Sequence, residues 1–153
     1  MTVRNRVHCK ITSNVAFELV GWLRSQPTPK GEVLSGESGC ILSRDPYTVF
    51  GIDVAYYSAK TLAEQTEVTT MVEGAPRLAV EILSPSNRQE EIDNKVNELL
   101  EYGVGIVWII HARCKHVTVY RPDHDPYFAA GDQILTAEPE LPGFSVRVSD
   151  LFK

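Results

Sequence analysis

The spacing of apolar residues changes several times along the chain, and each change marks an expected element. Val15, Ala16, Leu19, Val20, Trp22 and Leu23 share one broad helical face, which predicts a helix over 14–26 with Ser13 as N-cap and Pro27 and Pro29 as its end. From 32 to 57 the pattern shifts to strand-like pieces at 32–34, 39–43 and 52–57, separated by glycines and the turn-forming Arg44-Asp45-Pro46. Residues 59–77 read as a loop. The run LAVEIL at 78–83, bounded by Pro76 and Pro85, predicts a central strand that carries one acid. Ile92, Val96, Leu99 and Leu100 then recur at helical spacing and Gly103 supplies a C-terminal stop. That helix can start from Ser86 with Gln89 at the third position, or from Asn87 with Glu90. Residues 105–110 and 116–120 predict two strands joined as a hairpin through 111–115, so strand, helix and strand follow one another as in a crossover. Beyond Arg121 the chain is loop-rich, with short strands expected near 133–135 and 144–148 and a closing turn at 149–152. No repeat, low-complexity tract or linker interrupts the pattern.

A chain of 153 residues fits one domain, and with 43% hydrophobic and 23% charged residues it has the apolar side chains to close a core. The formal net charge of −5 excludes a general polybasic coat for nucleic acid or membrane. Any polyanion would need a local basic groove or a metal. The longest apolar stretch, 104–110, is far short of the roughly 20 residues that cross a bilayer, so no membrane association is expected. The amino end has charges but no apolar run after them, unlike a secretory signal. Three widely spaced cysteines, Cys9, Cys40 and Cys114, fit a reducing compartment without a disulfide framework, and a cytoplasmic location is expected.

Glu81 carries the strongest chemical signal. An unpartnered carboxylate inside a strand that is dry on both faces would cost several kcal/mol. Ala79, Glu81 and Leu83 share one strand face, and Asp53 in the segment IDVAYY is the best candidate for a second, converging acid. Two such carboxylates make a hard-oxygen site suited to Mg²⁺. The alternative is an ion pair with Arg77 or an outlet to solvent at a sheet edge, and the residues alone leave both open. Lys95 borders the buried face of its helix and can bring its ammonium toward the carboxylates along the sheet. It can equally pair on the surface with Glu91, four residues earlier.

The segments GESGCILSRDPYTVFGIDVAYYS, GAPRLAVEILSPSNRQEEIDNKVNELLEYGVGIVWII and VTVYRP resemble, in that order, the Uma-two family of restriction-endonuclease-like domains, over about 30–152. That family belongs to the PD-(D/E)XK nuclease superfamily, so the resemblance implies an α/β, mixed α+β fold: a restriction-endonuclease-like mixed central sheet flanked by helices. The resemblance implies a single restriction-endonuclease-like domain that hydrolyses DNA phosphodiesters with Mg²⁺ or Mn²⁺. Asp53 takes the place of the metal aspartate and Glu81 that of the second acid, with the backbone carbonyl of Ile82 as a further ligand and Glu37, in GESG, as an outer one. The lysine usually two residues after the second acid is Leu83 here, and Lys95 on the next helix takes its place. Ile52 stands where the family usually has Pro, His111 where it often has an acid, and Arg77 where it often has Asp. The chain starts after an extra strand pair with which the family usually begins. A domain lacking that hairpin would leave a strand edge open to pairing with a second copy as a homodimer. The alternative to an endonuclease is a catalytically inactive member of the fold that serves binding or assembly.

The remaining signals are weaker. His111, Cys114 and His116 are ligand types without a fourth partner at zinc spacing. Asp123, His124 and Asp125 read as a solvated loop. GESGC lacks the final glycine of a serine-hydrolase elbow. Arg44, Arg88, Arg113 and Arg121 can contact phosphate or simply keep the surface soluble.

Overall fold

The computed structural model of the protein describes residues 3–66 and 70–153. Its first element, α1 (Arg6–Arg24), starts eight residues before the expected helix. Asn5, not Ser13, is the N-cap, accepting a hydrogen bond from the His8 amide at 2.9 Å. Ser13 lies inside the helix, where its hydroxyl donates to the Cys9 carbonyl. The buried stripe is His8, Ile11, Val15 and Leu19, and its first member is polar, which hid the opening turns from a purely apolar pattern.

The three expected strand pieces are two long strands, β1 (Glu32–Arg44) and β2 (Tyr47–Tyr57), in one antiparallel hairpin. Gly39 does not break β1. A Cβ there would lie 2.3 Å from the Met71 sulfur, so the glycine admits that side chain against the strand. The real irregularity is at Gly36 and Glu37, both at positive φ (92° and 57°), where the register slips between Ser35↔Val54 and Ser38↔Ile52. This bulge faces Asp53. The expected loop at 59–77 holds a short helix α2 (Ala59–Ala63), capped by Ser58, and a two-residue strand β3 (Val72–Glu73) parallel to β1. Its residues 67–69 lie outside the described ones.

LAVEIL is β4 (Leu78–Leu83), followed by α3 (Gln89–Glu101) and β5 (Ile106–His111), which pairs parallel to β4 across the expected crossover. Neither Ser86 nor Asn87 caps α3. Asn87 Oδ1 is used to close the preceding turn by accepting from the Ser84 amide and hydroxyl, and Arg88 takes the cap position without a side-chain bond. Gly103, at φ 100°, follows the helix end as expected. The strand β6 (His116–Tyr120) returns antiparallel, and β7 (Tyr127–Ala130), in a region expected to be loop, pairs with it. The strands β8 (Ile134–Thr136) and β9 (Ser145–Arg147) form a separate ribbon before the 3₁₀ turn α4 (Val148–Phe152).

The main sheet has seven strands in the order β3-β1-β2-β4-β5-β6-β7. Strand alternation divides its apolar side chains between two cores. Leu78, Val80 and Ile82 join Ile106, Trp108 and Ile110 beneath α1, while Ala79, Val107 and Ile109 meet Ile92, Val96 and Leu99 of α3. Each fully buried aliphatic side chain contributes roughly 1.5–3 kcal/mol of transfer free energy, which fixes both helices against the sheet. Among the described residues no helix is long and apolar enough to cross a membrane.

Candidate active site

The strands β2 and β4 pair from Tyr56↔Leu78 to Val54↔Val80 and then part. Asp53 fills the gap. Its side chain is 2% exposed, and Oδ2 accepts a hydrogen bond from the Ile82 amide at 2.9 Å, replacing the ladder bond that the separating strands no longer make. The same oxygen accepts from His8 Nε2 of α1 at 3.1 Å. The bulge at Gly36 and Glu37 gives the hairpin the local bend that turns Asp53 toward β4.

Glu81 shares the α3 face of β4 with Ala79 and Leu83, as the strand period requires. Lys95, in the second turn of α3 and beside the buried Ile92 and Val96, lays its stem on the sheet. Its ammonium donates to Glu81 Oε1 at 2.8 Å and to the Gly51 carbonyl at 3.0 Å, and stands 5.5 Å from the centre of the Phe50 ring. The surface pairing with Glu91 is not made, and Arg77 pairs with Glu140 instead of Glu81. Burial pushes the Glu81 carboxyl from its ordinary 4.5 up to about 7; the Lys95 ammonium opposes this and the charge of Asp53 adds to it.

Asp53, Glu81, Ile82 and Lys95 line one cavity of about 260 Å³, together with Arg4, Leu83, Asn87, Glu91, Ile92 and Ile109. Glu37 is not in that lining. It forms an ion pair with Arg4, so the acid expected as an outer ligand touches the cavity only through the arginine. Sequence reasoning missed His8 and Arg4. The signal for His8 was its place in the stripe His8, Ile11, Val15, Leu19, legible only once Asn5 is taken as the cap.

Asp53 and Glu81 approach within hydrogen-bonding reach of one another, and among the described residues no three His, Cys, Asp or Glu side chains converge as a closed metal cage. Two converging carboxyls, a nearby backbone carbonyl and room for water suit a hard cation that keeps part of its hydration shell, and do not suit zinc. His111, Cys114 and His116 form no metal cluster; the two imidazoles stack with ring centres 4.1 Å apart.

A mixed sheet flanked by helices, with two acids and a lysine brought together where neighbouring strands part, defines a restriction-endonuclease-like fold. The chain belongs to the Uma2 family, described as "Putative restriction endonuclease", which matches residues 1–149. Among solved structures it is similar to a "putative nuclease belonging to DUF820" from Anabaena variabilis, at 19% identity and a TM-score of 0.82, over 99% of this chain and 83% of that one. No curated protein matches the sequence.

Proposed function

We propose that this protein hydrolyses phosphodiester bonds in DNA with the help of Mg²⁺ or Mn²⁺. The observation that carries the proposal is the meeting of Asp53 and Glu81, 28 positions apart in sequence, in one cavity with the Lys95 ammonium 2.8 Å from Glu81. Family membership supports the same chemistry.

Asp53 Oδ1, Glu81 Oε2 and the Ile82 carbonyl would hold the cation. When bound, it polarises the phosphate and lowers the pKa of an attached water. Asp53 is kept rigid by the Ile82 amide and His8, so its other oxygen is aimed at Glu81 and the cavity before substrate arrives. Lys95, tied to Glu81 and the Gly51 carbonyl, is placed to orient the attacking water or to stabilise charge that develops on the phosphate oxygens. Free thiols at Cys9, Cys40 and Cys114 fit a reducing compartment, so the proposal places the reaction in the cytoplasm.

Calorimetric titration with Mn²⁺ tests the ligand set. Saturable binding that Glu81→Ala removes is expected; equal binding by the variant would overturn the assignment. Plasmid nicking in Mg²⁺, absent in EDTA and in Glu81→Ala, tests the activity. Metal binding without nicking on plasmid or oligonucleotides would favour a binding module instead.

A further inference from the structure

The protein is acidic overall, yet two stretches contain no acid at all: residues 3–17 and 102–122. The fold brings them together at the C-terminal ends of the parallel strands β4 and β5. There the first turn of α1 faces the β5–β6 turn across a cleft of about 770 Å³, lined by Arg6, Val7, His8, Leu83, Pro85 and Arg113, with His111 and Ala112 at its side. A smaller cavity beside it is lined by Arg6, Lys10 and Lys115. Arg6, Lys10, Arg113 and Lys115 are all exposed, and among the described residues none of the four makes an ion pair or a side-chain hydrogen bond. This is the local basic groove that a chain of net charge −5 needs to hold a polyanion.

The groove is continuous with the site. His8 lines the large cleft while it donates to Asp53, and Leu83 lines both the cleft and the cavity of the carboxylates. Its floor and sides are chemically divided: Val7, Leu83, Pro85 and Ala112 offer apolar surface, His111 offers a ring backed by His116, and the cations stand beside them. Phosphates satisfy the cations but not the apolar walls. Those walls suit the face of a base, and in an intact duplex every base face is already stacked. The cleft also lies in the size range of about 300–1,000 Å³ typical of pockets for single small molecules.

We infer that this cleft is the substrate-strand site and that it takes an unpaired nucleotide, so the preferred substrate is DNA with a single-stranded segment next to the scissile phosphate. The inference rests on the nuclease reading of the carboxylate cavity. The backbone phosphates run past Arg6, Lys10, Arg113 and Lys115, and one base lies in the cleft against the His111 side.

Fluorescence anisotropy in EDTA tests this apart from catalysis, using a labelled 20-nucleotide single strand and the blunt duplex of the same sequence. The single strand is expected to bind at least tenfold tighter. Charge density alone would favour the duplex, so that preference cannot come from nonspecific attraction. Arg6→Gln combined with Arg113→Gln is expected to weaken binding about tenfold and to make the salt dependence shallower by about 1.4, from roughly 0.7 per phosphate contact on single strands. Arg147→Gln, outside both cavities, is expected to change nothing. Ala112→Phe, which fills the cleft, is expected to erase the preference for the single strand. Duplex binding as tight as single-strand binding overturns the inference, as does a double variant that binds like the unaltered protein. Binding to phosphatidylglycerol vesicles but to neither oligonucleotide would overturn it too, by making the groove a membrane contact. Strand binding without cleavage in Mg²⁺ counts against the proposed activity alone; cleavage with intact duplex preferred counts against the cleft alone.

Discussion

The helices α1 and α3 lie on opposite faces of the same sheet, and each delivers one nitrogen to one acid. From α1, His8 reaches Asp53 and is 5% exposed; from α3, Lys95 reaches Glu81 and is 30% exposed. The His8 contact is buried beneath the cleft that His8 lines, and shares its acceptor oxygen with a backbone amide. The Lys95 contact opens on the cavity, beside a carboxyl that burial has raised to about 7. The difference separates two jobs. One helix fixes an acid in place, and the other puts a part-exposed charge in the cavity, where the proposed substrate would meet it.

That division is best broken by removing each nitrogen in turn. Lys95→Ala is expected to slow plasmid nicking by about 10²–10³, the usual effect of deleting one donor to developing charge, with Mn²⁺ affinity changed far less. A loss confined to Mn²⁺ affinity would reverse the assignment. His8→Ala is expected to show the opposite split: Mn²⁺ affinity falls by about 10- to 100-fold, as when a partner of a metal ligand is lost, and cleavage recovers at high Mn²⁺. His8→Gln, whose amide can still donate to Asp53, is expected to restore most of the affinity.

Proton linkage sharpens the contrast from the α3 side. The folded state raises the Glu81 carboxyl from 4.5 to about 7, so it holds the proton more tightly than the unfolded chain does. The resulting stabilisation is fully present below about 4.5 and is lost as pH rises through about 7. In EDTA the melting temperature is therefore expected to decline across that interval, and Glu81→Gln to flatten the decline. An unchanged slope in the variant would assign it to another group. The smallest effect concerns the caps. Asn5→Ala should cost about 1 kcal/mol in denaturant unfolding, whereas Arg88→Ala has no cap bond to lose and should cost less.

The same two helices show what could be read from the sequence. The strand LAVEIL, the crossover and the Lys95 side of α3 were legible because apolar period and an interrupting acid coincide there. The pairing of Glu81 with Lys95 rather than Glu91 was not, since helical spacing permits both and only the sheet decides. α1 was legible only in its apolar half, because a buried histidine in its first turn looks polar to any hydrophobic count. The long β1–β2 hairpin was cut into pieces by glycines that serve packing and a bulge. β7 was missed because edge residues such as Tyr127 and Phe128, 47% and 70% exposed, carry no inward alternation. Glu37 shows the limit of motif position: it stands near the site in sequence pattern, yet its charge is spent on Arg4.

The seam where β2 and β4 separate gives Asp53 a duty unrelated to chemistry. Its Oδ2 closes the sheet at Ile82 and satisfies a buried imidazole. Truncating it would orphan two donors at once and loosen the architecture itself, so an inert Asp53→Ala protein would say little about catalysis. Asp53→Asn leaves one oxygen for the amide and is the cleaner probe. A relative without the proposed hydrolysis would still have reason to keep the aspartate, and the fate of Glu81 would be the one to watch.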